Sequence, residues 1–399
     1  MVVIILQLWP LQGLRADSVM KVAFVDQYAD SSILHKDPIT IPLAMREQGC
    51  GVTLVNASIK PAATQIAGLD VYHRSAFDLA IWEEEKFDFA IFFSRFESRF
   101  DEAIQAAKNS GTRVMLKGDT DGTLGYPLVP NYLRARPFSE APLLNLLRNI
   151  KWRLPLNASV GKKIRQIRQA DAVIVESPGA AVNLSQILCH WRLPHHSAKI
   201  HFVPNPVSSE VLKAPLKEKR KTILAAGRWD DQYVKNTATM ISAIKSFLDI
   251  RTDYTFELYG PGLNNVGLLA EFSEYIKSDR VVVSDWLNHD ELQNRIRSSR
   301  TVLIPSTLES YCLTAAEALC CGTSVVVTPI ESLIYLAGGG AFGSIARGFK
   351  QNDLLAALIY ESYCWDQGVR DPLVISKYWK DRMDSQAVAK QYLNILENS

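Results

Sequence analysis

"TVLIPSTLESYCLTAAEALCCGTSVVVTP", residues 301–329, contains two short apolar runs separated by a longer segment with helical spacing. The runs at residues 301–306 and 324–329 have the composition of buried strands, and the segment between them is long enough for a loop and a helix. A strand, a helix and a second strand in this order form the unit from which parallel sheets are built. The stretch therefore predicts an α/β fold, in which ligands bind beyond the carboxyl ends of the strands.

The same alternation of short apolar runs and helical segments occurs along the rest of the chain from Met20. In the first half the predicted strands are Val22–Asp26, Val52–Val55, Phe87–Phe93, Arg113–Lys117, Ala172–Glu176 and Ile200–Val203. A polar, basic, proline-containing stretch, residues 204–221, then has the composition of a linker. Strands and helices alternate again after it, starting with "TILAAG" at residues 222–227. The sequence predicts two Rossmann-like, doubly wound domains that face each other across a cleft.

The predicted domain boundaries follow from this alternation. We expect an N-terminal domain at residues 20–205, a linker at 206–221, a C-terminal domain at 222–375 and a final helix at 376–399. The first nineteen residues lack a basic start and a small-residue cleavage site, so we interpret them as a loose arm or a mis-assigned start. No segment is long and apolar enough for a membrane-spanning helix, which takes about 20 residues.

Composition excludes several classes of protein. A chain of 399 residues with 47% apolar residues and a mean hydropathy of −0.01 is typical of a globular protein with more than one core. The net charge of +2 does not favour nucleic acid as a partner, and no regularly spaced stacking aromatics suggest it. Of the six cysteines, Cys320 and Cys321 are adjacent and the other four are scattered without metal-ligand spacing, which favours reduced thiols and a cytoplasmic location.

Two glutamates, Glu309 and Glu317, lie at the helix of the opening stretch. That helix should begin near residues 311–314 with its N-terminus in the cleft, where free N–H groups and the helix dipole favour a phosphate. A carboxylate accepts hydrogen bonds from hydroxyls, so the two acids suit a ligand with sugar hydroxyls on either side of a phosphate. The alternative is that Glu309 caps the helix and Glu317 is an ordinary helix residue.

Four further charged residues follow predicted strands. Arg228 and Lys235 follow the first strand of the second domain, where two cations can stabilise a nucleoside diphosphate without a metal; alone, each could be a surface charge. Asp119 and Asp121 follow "VMLK" in the first domain and allow three readings: a turn, an acceptor-contacting or catalytic role, or a metal site. Of the two, Asp119 is better placed because it is nearer the strand end.

The glycine pair Gly260 and Gly262 follows another predicted strand. It could belong to a nucleotide-binding loop, but it is equally consistent with a simple turn.

Several motifs together resemble one family. Residues 305–329 have the pattern P-S-x-x-E-S-x-x-L-x-x-x-E-A-x-x-x-G-x-x-V-V, with "FVPNPV" at residues 202–207 and "AAGRWDDQYVKN" at 225–236. In these segments the chain resembles the retaining, family-4-like glycosyltransferases (glycosyltransferase group 1), whose two Rossmann-like domains form the GT-B fold. The spacing of Glu309 and Glu317 corresponds to the family's E-x7-E motif. The resemblance covers most of the chain after Met20 and is strongest at residues 171–329.

The resemblance implies a role for each site residue. Glu317 would hold the donor's ribose hydroxyls, Glu309 would face the transferred sugar as a catalytic residue, and Arg228 and Lys235 would neutralise the diphosphate. The remaining donor contacts would come from the backbone of Ser310, Tyr311, Cys312 and Leu313. Relatives often have glycines at two of these positions, where this chain has Ser310 and Cys312, and a glycine-rich turn after the first strand, which this chain lacks.

The implied reaction transfers a sugar, with retention, from a nucleoside-diphosphate sugar to a hydroxyl of a glycan or lipid-linked saccharide. It needs no metal or other cofactor, and the final helix would brace the first domain. An epimerase or phosphorylase of the same fold, or a non-catalytic nucleotide-sugar-binding protein, remains an alternative.

A basic segment suggests a membrane contact. Residues 141–170 carry seven lysines and arginines, apolar residues and Trp152, but no acid. Such a segment is expected either at an anionic membrane surface, which would suit a lipid-linked acceptor, or as amphipathic helices packed on the first domain.

Overall fold

The computed structural model describes residues 19–26, 36–57, 65–94, 96–124, 160–208, 211–212, 214–263, 268–285 and 287–398. Nearly all of the predicted N-terminal arm and the first part of the basic segment, residues 141–159, lie outside these ranges. Within them, no helix has the length and apolar character needed to cross a membrane.

The first sheet has eight strands in the order β3-β4-β2-β1-β5-β6-β7-β8. All neighbours in this sheet pair in parallel except β3 and β4. The strands are β1 (Lys21–Asp26), β2 (Gly51–Asn56), β3 (Gln65–Ile66), β4 (Leu69–Val71), β5 (Phe89–Phe93), β6 (Arg113–Gly118), β7 (Ala172–Val175) and β8 (Ile200–Phe202). The six predicted strands of the first half are all present. Strands β3 and β4 were not predicted, because two or three residues are too few to show a period.

The second sheet has six strands in the order β11-β10-β9-β12-β13-β14, all paired in parallel. Its strands are β9 (Arg220–Ala226), β10 (Thr255–Tyr259), β11 (Val281–Ser284), β12 (Ser299–Ile304), β13 (Ser324–Val327) and β14 (Gly343–Ile345). The central strands are apolar and buried on both faces, as parallel sheets covered by helices require. The predicted fold class, two parallel α/β sheets, is confirmed.

The helices cover both sheets. In chain order they are α1 (Asp37–Glu47), α2 (Ala80–Glu85), α3 (Asp101–Asn109), α4 (160–169), α5 (Pro178–His190), α6 (Thr237–Ile250), α7 (Leu268–Glu271), α8 (Ser273–Lys277), α9 (His289–Ser298), α10 (Leu313–Cys320), α11 (Glu331–Leu336), α12 (Gln351–Asp366), α13 (Pro372–Met383) and α14 (Ser385–Asn398). Local signals set several helix starts. For example, Asn288 and Glu291 form a reciprocal capping box at the start of α9.

The C-terminal segment consists of two helices, whereas the sequence suggested one. Helix α13 packs on α10 of the second sheet, and α14 packs on α1 of the first sheet. Tyr392 of α14 is fully buried in the core beside β1, and Gln48 at the end of α1 donates to the Gln386 backbone carbonyl at 2.9 Å. The break between the helices at Asp384 lets the chain pass from one sheet to the other.

The two halves also contact each other directly at the base of the cleft. The rings of Phe202 and Tyr335 meet edge to face at 5.1 Å between centroids, and Ser310 Oγ donates to Asp119 Oδ1 at 2.8 Å. These contacts hold the carboxyl edges of the two sheets opposite each other.

Candidate active site

A cleft of about 860 Å³ lies between the carboxyl edges of the two sheets. Loops after strands of both sheets line it, as expected for open α/β sheets. Of the predicted site residues, those that line the cleft are Asp119, Arg228, Lys235, Glu309, Ser310, Tyr311, Cys312 and Leu313. Glu317 does not line it. The structure thus brings together residues that are up to 194 positions apart, from Asp119 to Leu313.

Glu309 is paired with a predicted phosphate-binding cation. Its Oε1 accepts from Lys235 Nζ at 2.5 Å and from Ser306 Oγ at 2.7 Å. Both charged side chains are largely buried, with exposed fractions of 14% for Glu309 and 21% for Lys235. Water screens such a pair less than it screens a surface pair, so the carboxylate and the ammonium hold each other in place.

The loop that carries Lys235 is fixed by the loop before Glu309. The Thr307 N–H donates to the Val234 carbonyl at 2.8 Å, and Thr307 Oγ1 donates to the Tyr233 carbonyl at 3.0 Å. These bonds link the segment after β9 to the segment after β12, neighbouring strands of the sheet. The ion pair is therefore a product of sheet topology rather than of sequence proximity.

Arg228 is an exposed cation at the carboxyl end of β9. Within the part of the chain that the structure describes, no hydrogen bond or ion pair engages its guanidinium. An exposed guanidinium next to the Lys235–Glu309 pair is available to a ligand, and its planar set of donors suits phosphate oxygens.

The glycines after β10 allow two loops to pack backbone against backbone. A Cβ on Gly260 would lie 2.0 Å from the Gly227 carbonyl oxygen, and one on Gly262 would lie 2.5 Å from the Asp230 nitrogen. Both glycines also have positive φ, at 122° and 93°. Their role is to allow the loop that carries Arg228 to lie close against the strand end of β10.

Helix α10 points its N-terminus at the cleft. Leu313 and Thr314, its first residues, line the cleft, and no side chain caps the helix. The preceding Cys312 has φ 84° and ψ 84°, a conformation that glycine adopts more easily than a side-chain-bearing residue. Burial raises the pKa of the Cys312 thiol, so it stays protonated. The N–H groups of the first turn are the donors that an anion would need.

Glu317 lies one helical turn beyond the residues that line the cleft, on the same face of α10 as Leu313. Its Oε2 accepts from Gln293 Nε2 of α9 at 2.7 Å. Burial raises the pKa of Glu317 to about 7, although the bond from Gln293 lowers it. Gln293 was not predicted from the sequence, and only the packing of α9 on α10 shows it.

A Glu317→Gln substitution should stabilise the protein at pH 8. A carboxyl whose folded pKa lies above its usual 4.5 favours folding below pH 4.5, and this contribution is lost as the pH rises through about 7. Glutamine is neutral and keeps an oxygen for Gln293. We expect a gain in unfolding free energy of about 2 kcal/mol at pH 8 and little change at pH 5, measured by urea denaturation at both pH values. An equal gain at both would contradict a titrating Glu317.

Asp119 meets the second half of the chain directly. Ser310 Oγ donates to Asp119 Oδ1 at 2.8 Å, so a predicted acceptor-side residue contacts a predicted donor-side residue across the cleft. Asp121 instead supports the local turn, because its Oδ1 accepts from the Thr123 N–H at 2.9 Å and from Thr123 Oγ1 at 2.7 Å. Asp119 therefore contacts the opposite wall of the cleft, whereas Asp121 stabilises a local turn.

A buried ionic network, which the sequence did not predict, lies beside Asp119. Lys117, 1% exposed, places Nζ 2.5 Å from Glu176 Oε1 and 3.1 Å from Asp37 Oδ2. Glu176 Oε1 also accepts from Asn205 Nδ2 at 2.9 Å, and all four residues line the cleft. One feature of the sequence could have indicated this network: Lys117 lies near the end of the mostly apolar strand "RVMLKG".

Burial and charge oppose each other in this network. Burial alone would lower the pKa of Lys117, but the carboxylates of Glu176 and Asp37 raise it above its usual value, so the ammonium stays charged. Burial raises the pKa of Glu176 to about 7, against the lowering effect of Lys117 and with a further rise from Asp119. Because two donors converge on one oxygen of Glu176, we assign the ionised carboxylate at pH 8.

Comparison with known proteins identifies similar chains. Residues 209–360 match the family model described as "Glycosyl transferases group 1". A 102-residue segment is 28% identical to the D-inositol 3-phosphate glycosyltransferase of Nocardiopsis dassonvillei and covers 25% of this chain and 24% of that relative. The resemblance predicted from the motifs is thus confirmed for the second half of the chain.

Solved structures show the same fold over nearly the whole chain. The sucrose-phosphate synthase of Thermosynechococcus elongatus aligns with a TM-score of 0.66 and 14% identity, covering 95% of this chain and 98% of that one. Anabaena Alr3699/HepE in complex with UDP aligns with a TM-score of 0.68 and 12% identity, covering 95% and 100%. The chain has the GT-B fold.

Proposed function

We propose that this chain is a retaining glycosyltransferase that moves a sugar from a nucleoside-diphosphate sugar to a hydroxyl of a glycan or lipid-linked saccharide. The observation that carries the proposal is the grouping of Arg228, Lys235 and the open N-terminus of α10 around Glu309 at one wall of the cleft. Two cations and a helix N-terminus suit a diphosphate, and a carboxylate beside them suits the hydroxyls of the sugar it carries.

Each wall of the cleft takes a separate part in this proposal. The half of the chain at residues 222–375 would hold the donor, with Glu317 and the backbone of residues 310–313 at the nucleoside side. The half at residues 20–205 would hold the acceptor, with Asp119 next to the reacting hydroxyl. HepE, which shares the fold, has structures in complex with UDP and UDP-glucose, and this makes UDP the first nucleotide to test.

The proposed chemistry conserves the anomeric configuration by a front-side exchange. The bond between the sugar C1 and the β-phosphate oxygen breaks, a bond from C1 to the acceptor oxygen forms on the same face, and the acceptor's proton passes to the leaving phosphate. Arg228 and Lys235 would stabilise the charge that develops on that phosphate, so the step calls for no metal. Glu309 would orient the sugar and Asp119 the acceptor hydroxyl.

Contact with an anionic membrane surface is part of the proposal and would place the enzyme at the cytoplasmic face. In the described end of the basic segment, α4 exposes Lys162, Arg165 and Arg168. Lys163 is engaged, because its Nζ donates to the Leu124 carbonyl at 3.0 Å. A face with three exposed cations suits anionic lipid headgroups and would bring the cleft near a lipid-linked acceptor.

Nucleotide binding tests the donor site. UDP, GDP and ADP and their glucose esters are added to the protein with Mg²⁺ and with EDTA, and the melting temperature is recorded. A ligand at about 100 times its dissociation constant should stabilise the protein by ~2.7 kcal/mol. We expect one nucleotide family to raise the melting temperature equally with Mg²⁺ and with EDTA, and Arg228→Ala to abolish the shift.

Lys277→Ala is the matched control, since Lys277 is an exposed cation on α8 that pairs with Glu274. It should keep the full shift. Absence of any shift in the wild-type protein would overturn the donor site, and a shift that requires Mg²⁺ would overturn the metal-free mechanism.

A further inference from the structure

The wall of the cleft opposite Arg228 contains two buried oxygen atoms that lack a hydrogen-bond donor. They are Glu176 Oε2 and Asn205 Oδ1, and no described residue donates to either. Both side chains are almost completely buried, with exposed fractions of 2% and 5%, and both line the cleft. A buried oxygen without a donor costs free energy, and a ligand that supplies the donor can recover it.

Other polar atoms of both residues are held in place by hydrogen bonds. Glu176 Oε1 already accepts from Lys117 Nζ and Asn205 Nδ2, and the Asn205 backbone carbonyl accepts from the buried Tyr311 hydroxyl at 3.5 Å. The two remaining oxygens therefore cannot turn toward another protein donor without breaking these bonds. Their orientation is set before any ligand arrives, as a binding site requires.

The chemistry of these oxygens decides which ligand groups fit. Both are acceptors, so the ligand must supply donors. A sugar or polyol hydroxyl has an O–H to give, whereas a fully ionised phosphate has only acceptor oxygens. A phosphate placed here would face two more acceptors and would leave them unpaired.

The charges on the same wall also disfavour an anion. Asp37 and Glu176 line it, and Lys117, the buried cation between them, is already bound to both. Besides Lys117, the first half of the chain adds the cations Lys36 and Arg99 to the lining, and Arg99 pairs with Glu97 at 2.8 Å. A phosphate ester entering this side would meet Lys117 and Arg99 with their charges already paired to carboxylates.

We propose that Glu176 Oε2 and Asn205 Oδ1 form the acceptor subsite and bind hydroxyls of an unphosphorylated sugar or polyol. This inference rests on the proposed function and narrows its substrate class, because the acceptor end that enters the cleft carries hydroxyls rather than phosphate. It sets this chain apart from the matched Nocardiopsis relative, whose name specifies a phosphorylated inositol. Glu176 and Asn205 are binding residues in this account, and Lys117 is a positioning residue.

Paired probes that differ only in phosphorylation test the ligand class. Glucose is compared with glucose 6-phosphate, and myo-inositol with myo-inositol 3-phosphate, by ligand-observed NMR titration at pH 8 with and without saturating UDP. We expect at least one neutral probe to bind saturably and at least 10-fold more tightly than its phosphate ester. Tighter binding of a phosphate ester, or no saturable binding of either neutral probe, would overturn the subsite.

Two variants test the named oxygens. Glu176→Gln keeps one oxygen for Lys117 and Asn205 but puts an N–H donor where Oε2 was, so the neutral probe should bind at least 10-fold more weakly. Asn205→Ser removes Oδ1 while keeping the carbonyl that Tyr311 uses, and should have a similar effect. Glu97→Gln is the matched control, since Glu97 lines the same cleft but is exposed, and it should bind the probe as wild type does.

Titration with UDP distinguishes the proposed acceptor subsite from the proposed glycosyltransferase function. The dissociation constant for UDP should change less than twofold in all three variants. If UDP binds but the neutral probes do not, or if Glu176→Gln and Asn205→Ser bind them as wild type does, the subsite is wrong and the donor site stands. If the neutral probes bind and are lost in the variants but no nucleotide binds, the subsite stands and the glycosyltransferase proposal is wrong.

Discussion

Lys117→Met is expected to lower the free energy of unfolding by about 3–5 kcal/mol, because it leaves Glu176 as a buried carboxylate without its cation. Lys117 and Glu176 are 1% and 2% exposed, and their charged atoms lie 2.5 Å apart. Asp37, 17% exposed, loses the same partner. Methionine replaces the aliphatic stem of lysine but none of its hydrogen bonds. Urea denaturation at pH 8, where Glu176 is ionised, measures the loss.

The double variant Lys117→Met/Glu176→Leu separates the unpaired charge from a packing defect. Removing both charges should recover most of the lost stability, since paired burial of two ions roughly offsets the cost of taking them out of water. Lys277→Met, at a 71% exposed lysine, is the control and should leave the denaturation midpoint unchanged. A loss of less than about 1 kcal/mol in Lys117→Met would show that Glu176 is protonated or reaches water when its partner is removed.

Glu309→Gln is expected to reduce glycosyl transfer at least about 100-fold while leaving UDP binding intact or tighter. Its Oε1 is the point at which Lys235 and Ser306 converge. Glutamine cannot hold Lys235 by charge, so more of the ammonium becomes available to the diphosphate. The same change removes the negative charge that, in the proposed function, would face the transferred sugar. Single-turnover transfer and equilibrium UDP titration measure the two effects separately.

Lys235→Met provides a comparison for Glu309→Gln, because Lys235→Met should lose both UDP binding and transfer. Glu271→Gln is a control for a glutamate in an ion pair, since Glu271 binds Lys245 on the surface, 54% exposed, and should behave as wild type. If Glu309→Gln transfers sugar at the wild-type rate, Glu309 takes no part in the reaction. Loss of UDP binding as complete as in Lys235→Met would mean that Glu309 only positions Lys235.

Much of the fold could be predicted because its signals are local. Strands such as Phe89–Phe93 and Ala172–Val175 are short apolar runs between helical segments, and the sheet buries them on both faces, so the pattern and the burial agree. The position of the cleft also followed, since strand ends in such sheets lie at one edge. Strands β3 and β4 were missed because their five residues show no period.

The two glutamates of the E-x7-E pattern show where prediction from the sequence stops. They are eight positions apart in a single strand–loop–helix unit, yet Glu309 lines the cleft in an ion pair with Lys235, whereas Glu317 lies a turn deeper beside Gln293. Their partners are 74 and 24 residues away along the chain. The spacing of the two glutamates does not predict these partners, because the order of strands in the sheet and the packing of the helices determine them.

By itself, the sequence determined the alternation of strands and helices, the two parallel sheets and the sign of the charges placed at strand ends. These depend on the periodicity of apolar residues and on which residues follow each strand. Only the tertiary structure decided that Lys117 and Glu176, 59 residues apart, share a buried bond, that Ser310 reaches Asp119 across the cleft, and that Glu176 and Asn205 each keep one oxygen without a donor. The reason is that a hydrogen bond depends on distance in space, and the order of strands in the sheets brings together residues that are far apart in the chain.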